Sequence, residues 1–138
     1  MEANTGILKM VYEMKKKCGQ TDQQLMDDLK ISQSELLFFS ALNDCQGISS
    51  PDLAKNMGLS LSRVSRVVDK LVVNGFLDRN SDTTDRRAIK LCLTDKGKDI
   101  RSKIDKVRNE CEARLLDTIP AEEMKIFREI FSKFLTNM

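Results

Sequence analysis

Apolar side chains along this chain recur first with helical spacing, then briefly in alternation, then with helical spacing again. Near the start, Ile7, Leu8, Val11, Tyr12 and Met14 share one side of a helix predicted over residues 5–17. Lys15, Lys16 and Lys17 near its end suit the negative pole of a helix dipole. Gly19 interrupts the pattern, and Leu25, Met26 and Leu29 resume it behind Thr21 or Asp22. That spacing fits one bent helix or two. Ser32 and Glu35 stand at capping-box spacing, with Ile31 placed to staple onto Leu36 or Leu37. The helix they predict, from 33 to about 45, is apolar nearly all round through Leu36, Leu37, Phe38, Phe39 and Leu42. It therefore belongs in the core, with Gly47 at its exit.

The same grammar repeats over residues 49–74. Ser49 caps, Pro51 is tolerated in the first turn, Asp52 faces the positive helix end, and Leu53, Ala54 and Met57 point inward. Gly58 closes this helix, and Ser60 opens the next within two residues, so the two must cross steeply. The second helix carries Leu61, Val64, Val68 and Leu71 on one side and Ser60, Ser62, Arg63, Ser65 and Arg66 on the other. After Gly75 the period switches to two. Residues 76–79 and 88–93 read as short strands, the second with Ile89, Leu91 and Leu93 on one face, and the polar turn of residues 80–87 joins them.

Helix, turn, helix and a basic hairpin together describe a winged helix-turn-helix, a module for reading duplex DNA. The fold class expected is mainly α (α+β). Small residues let the second helix sink into a major groove, and Arg63 and Arg66 reach guanine O6 and N7 with two hydrogen bonds each. Ser60, Ser62 and Ser65 are placed for bases or phosphates. On the hairpin tip, Arg86 and Arg87 suit a narrow minor groove, with Asp85 beside them to hold a guanidinium in place. The blander alternative, a solvated amphipathic helix and a polar hairpin, is outweighed by the two features occurring in succession.

Beyond Thr94, which caps a long helix, Ile100, Ile104, Val107, Cys111 and Leu115 form a narrow apolar seam between charged faces. After Pro120, a second stripe runs through Met124, Phe127, Phe131 and Phe134, widened by Ile126 and Ile130. Such phenylalanines call for cover, from another subunit as the natural solution, with a cap on its own domain or a coiled-coil pairing as the other readings of this helix. The division expected is a single winged-helix domain over 1–138, with dimerisation helices at 1–30 and 95–138 and a DNA-binding lobe at 33–93.

Composition narrows the classes. The net charge of +2 announces nothing, but its distribution does. Between residues 60 and 90 stand Arg63, Arg66, Lys70, Arg79, Arg86, Arg87 and Lys90 against only Asp69, Asp78, Asp82 and Asp85. A winged-helix module that binds only another protein is the alternative, and it has no reason to keep that balance. With no histidine, no nucleophile motif and no glycine-rich phosphate loop, an enzyme is the weakest option, and no cofactor is expected. Cys18, Cys45, Cys92 and Cys111 are widely spaced without a C-x-x-C, which argues against zinc and against a disulfide framework. No secretory signal or membrane-spanning apolar run is present, so a cytoplasmic protein is expected.

From about Ile31 onward the chain resembles the multiple-antibiotic-resistance regulator (MarR) family. The resemblance rests on SSPDLAKNMGL at 49–59, SLSRVSRVVDKLVVNGFLDR at 60–79, DTTDRR at 82–87 and LTDKG at 93–97, in that order. It implies an obligate homodimer binding a pseudo-palindromic operator in double-stranded DNA, no membrane partner, and wing contacts from Asp85 and Arg87. Recognition-helix contacts would fall on Ser60, Ser62, Arg63, Ser65 and Arg66. It further implies a repressor released by a small aromatic ligand or by an oxidant. Cys18 is the redox position this suggests, since Lys15 to Lys17 favour its thiolate, although a helix C-terminus there would oppose it.

Overall fold

The computed structural model describes residues 6–42, 45–81 and 89–138. Six helices and three strands follow in the order α1 (Ile7–Leu29), α2 (Gln33–Ala41), β1 (Cys45–Ile48), α3 (Ser50–Met57), α4 (Leu61–Val73), β2 (Leu77–Ser81), β3 (Ile89–Leu93), α5 (Asp95–Thr118) and α6 (Ala121–Asn137). They belong to two compact units, Met1–Ser102 and Lys103–Met138.

In the first unit, α1 runs unbroken through Gly19, so the interruption in sequence leaves no break in the helix. Intrinsic propensity is a weak force, and one glycine costs a helix only ~1 kcal/mol. Lys30 ends α1 in the left-handed region at φ 56°, and the Ile31 amide returns to the Met26 carbonyl at 3.1 Å. The Ser32–Glu35 capping box forms as the spacing predicts. The helix it opens is shorter than expected, because the chain turns extended at Leu42 and then enters β1. That strand is absent from the sequence expectation. Four residues are too few to show alternation, and β1 exists only by pairing antiparallel with β3, whose own sequence lies some forty residues away.

The sheet has the order β1-β3-β2, with β2 and β3 paired from Leu77↔Leu93 to Ser81↔Ile89. The register of β1 sets Cys45 opposite Cys92 along the backbone. Cys92 is disulfide-bonded, which corrects the reading of the cysteine spacing as arguing against disulfides, whereas Cys18 and Cys111 are free. Register is a long-range property that cysteine spacing does not reveal.

Phe38, Phe39, Leu42, Leu53, Val64, Leu71, Leu77 and Leu91 fill the centre of this unit. Phe39 meets Phe38 and Phe76 edge to face, at ring distances of 6.0 and 6.3 Å. The opening of α5 is joined to this core closely. Thr94 Oγ1 accepts from the Gly97 amide as a cap and donates to the Gly75 carbonyl at 2.6 Å. A side chain at Gly97 would collide with the Phe76 carbonyl, so the L-T-x-x-G motif is a packing requirement. Arg101 donates to the Leu42 carbonyl that closes α2.

In the second unit, α5 continues to Thr118 and α6 follows Pro120. No residue of α6 is buried, and Ile126, Phe127, Ile130, Phe134 and Leu135 are exposed along it. Phe127 and Phe131 stack at 5.4 Å. No helix among the described residues is long and apolar enough to cross a membrane.

Candidate nucleic-acid interface

Helices α3 and α4 form the helix-turn-helix, and the turn between them follows from two local signals. Gly58 sits at φ 67°, where a residue without Cβ carries no steric penalty, and the Leu59 amide closes back on Ala54 at 3.1 Å. Ser49 and Ser60 each cap their helix by accepting from the amide three residues on. Helix α4 then buries Val64, Val67, Val68 and Leu71. Sequence reasoning placed Leu61 on this buried face and overlooked Val67. The structure reverses both, leaving Leu61 exposed and Val67 inside. The inward face is set by how α4 packs on α2, α3 and β2, which helical spacing alone does not give.

On the outer face, Ser60, Ser62, Arg63, Ser65 and Arg66 are all exposed on the first two turns of α4, as the spacing predicts. Their roles differ. The Ser60 hydroxyl is engaged by the Arg63 amide at 3.4 Å and stands 3.3 Å from that of Ser62, so it serves the helix first. Arg63 and Arg66 make no ion pair among the described residues and present their guanidinium groups outward. Asp85, Arg86 and Arg87 lie outside the described residues.

Two ion pairs that sequence reasoning missed connect α4 to neighbouring elements. Glu35 is buried at 4% exposure; it accepts from the Ser32 amide and, at 3.1 Å, from Lys70 Nζ near the end of α4. One carboxylate thus starts α2 and clamps α4. Arg79 on β2 donates to Asp69 on α4 at 2.7 Å, joining the root of the hairpin to the helix. Helical spacing alone gave no sign of either, because both partners come from different elements. Two of the seven basic residues of this region are therefore spent on architecture, and Asp69, which faces outward, has its charge offset. Among the described residues, no cluster of three or more cysteine or acidic side chains could hold a metal ion.

Comparisons with known proteins agree with this geometry. Residues 24–89 match the model of the MarR family. Among solved structures, the MarR protein from Peptoclostridium difficile superposes with a TM-score of 0.76 at 20% identity, covering 99% of this chain and 90% of that one. A variant of MepR from S. aureus gives 0.73 at 19% identity, with 96% and 98% covered. NadR in complex with 4-hydroxyphenylacetate gives 0.74 at 15%, with 97% and 95% covered. The helix-turn-helix of this chain lies within the residues that match the MarR-family model, and its fold is that of these solved structures.

Proposed function

We propose that the protein is a dimeric, sequence-specific DNA-binding transcriptional regulator, a repressor whose grip on its operator is released by a small ligand or oxidant. The observation that carries this is the first half of α4, where five polar side chains including Arg63 and Arg66 stand exposed on a helix anchored from behind by Glu35 and from the side by Arg79. Such a helix enters a major groove, with serines admitting its backbone and arginines reading guanine. The Asp85, Arg86 and Arg87 tip would take the adjacent minor groove. Pairing two copies through the exposed apolar faces of α1 and α6 would present two such helices to grooves about 34–36 Å apart.

Release by an aromatic acid is supported by the likeness to NadR, whose structure holds 4-hydroxyphenylacetate. Release by oxidation is supported by Cys18, an exposed free thiol. Selection of bound fragments from a random DNA pool at low salt, followed by anisotropy titrations, tests the core of the proposal. Affinity should fall steeply with salt, since each neutralised phosphate adds roughly 0.9 to the log–log slope. A pool returning no bound fragment would sink it, and a pull-down recovering one protein partner would then favour the adaptor alternative.

A further inference from the structure

Leu61 is an apolar residue of α4 that the core does not cover. It is 51% exposed, while Val64, Val68 and Leu71, which share its stripe in sequence, are at most 2% exposed. The other exposed residues on the first two turns of α4 are all polar. The hydroxyls of Ser60 and Ser62 stand 3.3 Å apart and so have a partner within the turn, and Leu61 between them offers only methyl groups. One turn on and on the same side, Ser65 is small and exposed, which leaves the leucine proud of the surface. Arg63 and Arg66 are exposed on the same two turns.

A solitary apolar group in a polar, cationic surface is a poor match for a membrane or an apolar protein face, both of which need a contiguous patch. It matches a major groove, where the thymine C5-methyl stands alone among hydrogen-bond donors and acceptors beneath rows of phosphate. We propose that Leu61 is a specificity-determining residue that packs on a thymine methyl in each half-site, distinct from the guanine contacts of Arg63 and Arg66. This rests on the DNA-binding function proposed above.

The test uses the full chain and the fragments recovered from a random pool. Each thymine of a half-site is replaced in turn by uracil, which removes the methyl and leaves the pairing unchanged. One replacement per half-site should weaken the wild-type protein about fifteenfold, the effect of losing two buried methyls at about fourfold each. Leu61→Ala should bind the thymine and uracil versions of that site equally. Because half of Leu61 is already in water, this variant should unfold within about 2 °C of the wild type; the uracil series on wild type needs no variant at all. If every uracil site binds wild type as well as thymine does, or if Leu61→Ala keeps the full penalty, the inference is overturned while DNA binding stands. A pool that yields no bound DNA overturns the DNA-binding function itself, and the role of Leu61 with it.

Discussion

Helices α4 and α6 are both amphipathic, and they dispose of their apolar stripes in opposite ways. In α4 the stripe is inside, as Val64, Val67, Val68 and Leu71, and the polar face is outside. In α6 nothing is buried, and Ile126, Phe127, Ile130, Phe134 and Leu135 face solvent. The amphipathic pattern is thus silent about what covers a stripe. In α4 the cover is α2, α3 and the sheet of the same chain. Exposed apolar residues recur on α1, at Ile7, Leu8, Met10, Tyr12 and Met14. We attribute both uncovered stripes to a second copy.

The contrast is sharpest at the phenylalanines. Replacing Phe127 and Phe134 together by glutamate should raise the dimer dissociation constant on the order of a thousandfold, because two aromatic anchors are lost. Sedimentation velocity reads this directly, and an unchanged dimer would put the subunit interface elsewhere. Unfolding of the monomer should respond little, since both side chains are exposed and Phe127 stacks only on Phe131 of its own helix.

Leu71→Ala tests the other half of the comparison. This side chain is fully buried, so truncation should cost about 3 kcal/mol in urea unfolding. A loss below about 1 kcal/mol would mean that the packing behind α4 is loose. On its outer face, Arg66→Ala should weaken operator binding about tenfold and relax base preference at one position, leaving urea stability unchanged. The smallest effect is expected at the Arg79–Asp69 pair. Both partners are substantially exposed, 43% and 60% for their side chains, so Arg79→Ala should shift stability by less than about 0.5 kcal/mol. A larger loss would show that the hairpin root depends on that pair.

Most of the lobe was legible in the sequence because its signals are local. Ser32, Ser49 and Ser60 announce helix starts by chemistry within three residues, and Gly58 announces a stop. The exposed stripe of α6 was legible for the same reason, from spacing alone. What escaped depends on distant partners. Strand β1 exists by virtue of β3, the buried Glu35 carboxylate meets Lys70 from thirty-five residues away, and the exposure of Leu61 follows from how α4 sits against its neighbours. Charge counting also overstated the basic surface, since Lys70 and Arg79 are engaged within the fold.

The joint at Thr94 has a consequence for how the chain tolerates change. Its hydroxyl binds the end of the α4 turn at Gly75 and the start of α5 at Gly97, and the Phe76 carbonyl fills the space a side chain at Gly97 would need. Strand, turn and helix therefore meet at a pin and not along a tether. A tether absorbs an inserted residue, but a pin does not. One extra residue within 94–97 would rotate every later side chain of α5 by about 100° relative to Gly75. A lineage of this protein is bound to keep the count at this corner.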